Sequence, residues 1–441
     1  MSVQVYSEIG RLRRVVVHRP GPEVLRMTRD EMERLLFDDI LALDVASEEH
    51  ALMDEILAAH GAEVLDLLDL LEQALEAAPA EAVTDLVEQV CDQAGERGIA
   101  PYLAAFPPRR LAEALVQGLA WDDLDGAPMT LARLRAQRLH REGLALRPVP
   151  NLLFMRDPCI PVFDRVVVAR MATDARAREP LLGRFALSWG PARVPLLFDG
   201  DDRALNPVLR SIEGGDVLVV SPRFLVIGCS ERTSPQTVQR FAEEALFPTF
   251  SHLERVYAVL MPPARSVMHL DTVLTQIDRD LFLGHAPMLT GRPGFPALEV
   301  AVLDRGGVPR LAKGGVLDVL REELGPQVRL VPCGGDDPLH QEREQWTDGA
   351  NAVCLSPGHI VLYSRNVYTV ATLCDRYGFR RVDVGASDEP EGRATRLRDS
   401  LSERRVVYTF RGHELSRARG GARCMTMPLL RDRLAPEQGD G

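Results

Sequence analysis

Val217-Leu218-Val219-Val220 and Leu225-Val226-Ile227 decide the architecture: two apolar, β-branched runs lie a few residues apart and read as a close pair of strands. A helical pattern over 235–246 follows them. A doubly wound parallel sheet would alternate single strands with helices, so paired strands argue against it. The texture recurs outward from this point. Residues 268–277 alternate as a strand, 281–283 form another, and 315–324 read as a helix; 166–168, 360–363, 381–384 and 406–409 read as strands, with a helix over 368–377. The expectation is an α/β fold of repeated ββα-like units, although no sequence period establishes a repeat.

The N-terminal part has the same grammar. Leu12-Arg13-Arg14-Val15-Val16-Val17-His18 reads as a buried strand, Thr28-Arg29-Asp30-Glu31 resembles a capping box opening a long helix that ends at Ala59-His60-Gly61, and a strand follows over 62–65. Between 66 and 143 β-branched residues give way to Leu, Ala, Glu and Arg. Leu67, Leu68, Leu71 and Leu75 mark one helix, Val83, Leu86, Val87 and Val90 a second, Leu111, Leu115 and Leu119 a third, and Leu131, Leu134 and Leu139 a fourth. The expected division is an α/β domain over 1–65 and 144–441 with an all-helical bundle inserted over 66–143.

Composition narrows the function. Of 441 residues 46% are hydrophobic and 26% charged, as in a soluble globular protein with ample core. The net charge is −12 with the arginines scattered, which argues against nucleic acid or an anionic membrane as partner. No signal-peptide pattern or membrane-length apolar run occurs, so a cytoplasmic location is expected. Seven cysteines without a C-x-x-C pair speak against a disulfide framework or a cysteine zinc site.

The chemistry gathers around Gly420-Gly421-Ala422-Arg423-Cys424-Met425-Thr426-Met427-Pro428. Glycines that tolerate positive φ and close approach precede Cys424, and the adjacent guanidinium of Arg423 would favour the thiolate. Taken alone, a buried packing cysteine is the commoner reading. Read as a strand, Val267-Met268-His269-Leu270-Asp271-Thr272-Val273 puts His269 and Asp271 on one face, either a solvated polar face or a working one. Asp157 stands before Pro158, as a turn residue or a second pocket carboxylate, and Glu213 and Asp216 flank Gly214-Gly215, a tight turn in the ordinary reading. ATP and NAD lose their support because no phosphate-binding motif occurs. Metal is disfavoured, since no ligand spacing repeats. A carboxylate-rich pocket attracts a cation. A guanidinium fits, being planar and permanently charged, with forked donors that two carboxylates can clamp. Its delocalised central carbon calls for a strong nucleophile such as a thiolate, with a histidine to protonate leaving ammonia.

At these residues the chain resembles the arginine deiminases, of the guanidine-modifying superfamily with the pentein (α/β propeller) fold. The resemblance rests on Asn151-Leu152-Leu153-Phe154-Met155-Arg156-Asp157, Glu213-Gly214-Gly215-Asp216, Glu231-Arg232-Thr233-Ser234, Met268-His269-Leu270-Asp271-Thr272, Gln345-Trp346-Thr347-Asp348-Gly349-Ala350-Asn351 and the Cys424 segment, in family order. It implies Cys424 as nucleophile, His269 as general acid then base, Asp157 and Asp271 gripping the guanidinium, Glu213 bonded to the histidine and Asp216 in support. Arg176, Arg232 and Asn151 would hold the α-carboxylate and α-amine, Phe154 would pack on the aliphatic stem, and Arg419 would help to close the site. The implied reaction converts L-arginine and water to L-citrulline and ammonia through a covalent amidino-cysteine, without metal or organic cofactor. The implied partner is a small guanidino substrate, with a homo-oligomer left open. An amidinotransferase, a deiminase of a modified arginine and a non-catalytic arginine-binding protein are the alternatives. Met171-Ala172-Thr173-Asp174-Ala175-Arg176 departs from the family pattern by lacking aromatic residues before Arg176.

Overall fold

The computed structural model describes residues 1–32, 34–138, 143–200, 210–292, 296–385 and 389–435. One pattern of pairing recurs in five sheets: an antiparallel pair whose second strand also carries a parallel third. The first joins Cys159–Val162, Arg165–Val168 and Leu196–Asp199. The second joins Val217–Leu218, Phe224–Cys229 and Arg255–Leu260, and is extended by Glu299–Asp304 and Arg310–Leu311. The third uses Leu274–Gln276, Leu281–Gly284 and Arg329–Pro332; the fourth uses Val353–Ser356, His359–Tyr363 and Val406–Phe410, with Arg380–Val384 at its edge. In the fifth, Met427–Arg431 near the C-terminus pairs antiparallel with Leu12–Val17, which carries Glu63–Asp66 in parallel. A parallel neighbour requires a crossover, and helices such as Arg178–Ser188, Val316–Leu324, Val367–Tyr377 and Leu43–Ala59 supply it. The repeating unit is therefore ββαβ. Among the described residues no sheet closes on itself.

Two expectations change at the elements that bear on the site. Residues 268–277 are not one strand: only Leu274–Gln276 is, and the turns Arg265–Val267 and Leu270–Thr272 precede it. Side chains have captured the backbone there. Asp216 Oδ1 accepts from Leu270 N at 2.8 Å and Thr272 Oγ1 donates to His269 O at 2.6 Å, which competes with a ladder. The long N-terminal helix is likewise divided into Arg29–Met32 and Leu43–Ala59, with Leu36 at φ 66° between them.

The 66–143 stretch contains the helices Leu67–Ala77, Ala80–Ala94, Ala100–Ala104, Pro108–Gln117 and Leu131–Arg138. It is not wholly helical, because Leu119–Ala120 pairs with Leu144–Leu146. The last helix does not build core: Leu131 is 86% exposed and Leu134 41%, while Leu139 lies outside the described residues. The other helices bury Leu71, Leu86, Val90 and Leu115 in a cluster that also takes in Leu181, Leu182 and Met427, so their core is continuous with that of the first and fifth sheets. Among the described residues no helix is long and apolar enough to cross a membrane.

Candidate active site

Short turns between strands deliver the polar side chains to one buried place. Asp157 follows the turn Pro150–Leu153, Glu213 caps the turn Gly214–Asp216, and His269 caps Leu270–Thr272. Glycine lets two of these turns touch. A Cβ on Gly214 would lie 2.0 Å from Arg156 O, and one on Gly215 would lie 2.6 Å from the His269 ring.

His269 Nε2 meets Glu213 Oε2 at 2.8 Å, and its Nδ1 lies 3.7 Å from Asp157 Oδ1. Asp157 Oδ1 also accepts from Gly215 N at 3.0 Å. Burial alone would push the imidazole toward neutrality, yet Asp157, Glu213 and Asp216 together outweigh it and raise His269 to about 9. The imidazolium in turn holds Glu213 and Asp157 below the usual carboxylate range against the upward push of burial. Asp216 behaves differently: burial lifts it to about 7 despite His269, Ser230 and the Leu270 N–H, and it supports the turn by accepting from Leu270 N and Ser230 Oγ.

Cys424 lies on a loop pinned from both sides. Its N–H donates to Asn351 Oδ1 at 3.0 Å, and its carbonyl accepts from Arg156 N at 3.0 Å. Asn351 Nδ2 donates to Asp271 O at 3.1 Å, tying the thiol's loop to the carboxylate's. The Sγ is 3.7 Å from Asp271 Oδ2 and 3.9 Å from Oδ1. Burial, then Asp271, Asp157 and Asp348, push the thiol well above its ordinary value. The expectation that Arg423 favours the thiolate is overturned: the thiol is pushed up, and the guanidinium is taken up by Glu8 and by Asp271, the carboxylate beside the sulfur. The glycines serve close approach and not positive φ: a Cβ on Gly420 would lie 2.2 Å from Phe154 Cε1, one on Gly421 2.8 Å from Asn351, and it is Arg419 that takes φ 69°.

Around this centre stand the other expected residues. Arg176 is buried and forks onto Glu179 and Asp157, with Nη1 2.6 Å from Asp157 Oδ2. Arg232 is buried with its Nε unpartnered. Asn151 Nδ2 donates to Leu35 O at 2.6 Å. Arg419 stacks 3.4 Å over the Trp346 ring and donates to Trp346 O at 3.1 Å. Asp157, Glu213 and His269 each present a ligand atom within 4.8 Å of the others, a spacing that could hold a metal ion. Arg176 Nη1, 2.6 Å from Asp157 and 3.9 Å from Glu213, already brings a permanent cation to that cluster. Sequence reading passes over Asn351, Glu179, Glu8 and Asp348 as site residues. Two of them, Asn351 and Asp348, lie in the Gln345–Asn351 segment that carries part of the resemblance.

The sequence profile of arginine deiminase matches residues 33–431. The chain belongs to the arginine deiminase family. Curated members include the arginine deiminase of Clostridium perfringens, 32% identical over 98% of this chain and 99% of its own. Those of Borrelia duttonii, at 32% over 98% of both chains, and Bacillus cereus, at 33% over 97% and 98%, are alike. An amidinotransferase of Microseira wollei superposes over 98% of both chains with a TM-score of 0.48 and 14% identity, too distant to decide anything. The matched span contains Asp157, Glu213, His269, Asp271 and Cys424.

Proposed function

We propose that this chain hydrolyses L-arginine to L-citrulline and ammonia, the activity that names its relatives. The observation that carries the proposal is a buried thiol 3.7 Å from the Asp271 carboxylate, with Asp157 and Glu213 of the same buried cluster holding the His269 imidazole. Such a pocket stabilises a cation. The guanidinium is clamped by Asp157 and Asp271, its stem packs on Phe154, and Arg232 and Asn151 receive the α-carboxylate and α-amine. Arg419 closes the entrance from its stack on Trp346.

Bound cation offsets the carboxylate field, so the Cys424 thiol releases its proton to solvent and the thiolate attacks the guanidinium carbon. A C–S bond forms. His269 gives its proton to the departing nitrogen, the C–N bond breaks and ammonia leaves an amidino-cysteine. Neutral His269, oriented by Glu213, then takes a proton from water as its oxygen attacks the same carbon. The C–S bond breaks as the new hydroxyl passes its proton to the sulfur, returning the Cys424 thiol and leaving the neutral ureido group. We further propose that the five ββαβ sheets close around this site as a pentein-type propeller, with 66–143 as an insertion between its units.

Citrulline and ammonia are to be measured with L-arginine as sole substrate. Equal amounts without any acceptor amine are expected, and a requirement for an acceptor amine would replace hydrolysis by amidino transfer. Cys424→Ala should lose turnover, and substantial residual activity would remove the nucleophile from the scheme.

A further inference from the structure

Each carboxylate assigned to the clamp is itself held by a protein arginine, and each arginine by a glutamate. On one side Arg176 Nη1 donates to Asp157 Oδ2 at 2.6 Å, while its Nε and Nη2 fork onto Glu179 at 2.7 to 3.1 Å. The Nη2 also reaches Asn151 O and Phe154 O at 3.3 and 3.4 Å. On the other side Arg423 Nη1 donates to Asp271 Oδ2 at 2.7 Å, Nε to Glu8 Oε2 at 3.1 Å and Nη2 to Val217 O at 3.0 Å. The two arrangements are built alike from unrelated segments. In both, Nη1 meets the clamp carboxylate, Nε meets a glutamate and Nη2 meets backbone.

None of the six side chains belongs to a residue more than 7% exposed, so these are not screened surface pairs. All three nitrogens of each guanidinium have protein partners. A planar fork gripped along its Nε edge cannot turn, so its remaining nitrogen fixes the plane and position of the carboxylate beyond it. We infer that Arg176 and Arg423, each braced by a buried glutamate, are positioning residues that set the spacing of Asp157 and Asp271, an inference that rests on the clamp proposed above. Glu179 and Glu8 then govern guanidinium recognition without touching substrate. Arg176 also stands where the sequence lacks the preceding aromatic residues of the family pattern.

The test uses the full chain with Glu8→Gln and Glu179→Gln, which keep shape and remove the anchoring charge. Steady-state citrulline formation and calorimetric binding of L-arginine in the Cys424→Ala background are the two readouts. Each substitution is expected to cost about 100-fold in kcat/KM, mostly through KM, with binding weakened in proportion, as for a misplaced contact. The conservative Glu8→Asp and Glu179→Asp should recover part of the loss. Glu8→Gln with Arg423→Lys should be no worse than the worse single change, whereas Glu8→Gln with Glu179→Gln should multiply. Where a Gln variant does not fold, Arg423→Lys or Arg176→Lys is read by the same measurements. Folded variants with unaltered KM and affinity would overturn the inference. If the unaltered chain makes no citrulline but the Cys424→Ala protein binds arginine and loses it on Glu8→Gln or Glu179→Gln, the reaction falls and the positioning roles stand. If nothing binds, both fall.

Discussion

The Cys424 sulfur lies 3.7 Å from Asp271 Oδ2, and in the absence of a bound cation the thiol is held in its protonated form. Burial and three nearby carboxylates all act against the thiolate. Inactivation by iodoacetamide should therefore show a midpoint above pH 9. Asp271→Asn removes one negative charge and should move that midpoint to lower pH while lowering kcat/KM for arginine, since one side of the clamp becomes neutral. A midpoint unchanged by Asp271→Asn would detach the carboxylate from the thiol's titration.

The His269–Glu213 contact predicts the alkaline limb of the rate profile. With His269 raised to about 9, the imidazole carries its proton at neutral pH and loses it as pH rises through that value. Loss of the proton removes the acid for ammonia departure, so kcat/KM, which follows the free enzyme, should decline above about pH 9. Glu213→Gln removes a contribution that raises the histidine, and its alkaline limb should therefore begin at lower pH. An unmoved limb would assign the acid elsewhere.

A second buried histidine predicts how stability depends on pH. His18 lies 3.4 Å from Glu23 and 3.5 Å from Asp66, at the point where the first strand, its turn and the strand Glu63–Asp66 meet. Burial lowers its affinity for a proton, but Asp66 and Glu23 outweigh it and raise it to about 10. The folded state thus binds the proton more tightly than the unfolded chain, whose histidine titrates near ~6.5. The stabilisation is full below that value and is lost as pH rises toward 10. Melting temperature should fall across this window, and His18→Gln should be destabilised at pH 6 with a flatter dependence above it. Parallel curves for the two proteins would exclude His18 as the cause.

Much of this architecture was legible locally, and its repetition was legible as a texture without a period. The pair at Val217–Leu218 and Phe224–Cys229 declares itself because both runs are apolar and β-branched. The five-fold recurrence leaves no sequence period because Glu299–Asp304 and Arg310–Leu311 interrupt the crossover of the third unit and the fifth unit joins both ends of the chain. His269 and Asp271 lie at a turn and not on the strand face that alternation suggests. Their turn depends on Asp216 reaching Leu270 N, a contact that alternation cannot reveal. Arg423 shows the opposite failure, since adjacency to Cys424 suggested support of the thiolate while its fork is taken up by Glu8 and Asp271. Charge direction is a tertiary property, and neighbours in sequence carry no information about it.

The two glycines before the nucleophile predict a division of kinetic effects between adjacent positions. Neither takes positive φ, so alanine brings no backbone strain and acts through space alone. At Gly420 the new Cβ would lie 2.2 Å from Phe154 Cε1, displacing the ring proposed to pack on the substrate's stem. That loss weakens binding in ground and transition states alike, so Gly420→Ala should raise KM about tenfold with a smaller change in kcat. At Gly421 the Cβ would lie 2.8 Å from the Asn351 Cβ, O and Oδ1, and Asn351 Oδ1 is the acceptor that fixes the Cys424 N–H. Gly421→Ala should therefore misplace the sulfur and lower kcat by about 100-fold, with KM changing less. Steady-state kinetics of the two variants, read beside their melting temperatures, decide the matter. Similar losses in KM for both would show that the loop moves as one body and that Asn351 does not single out the nucleophile.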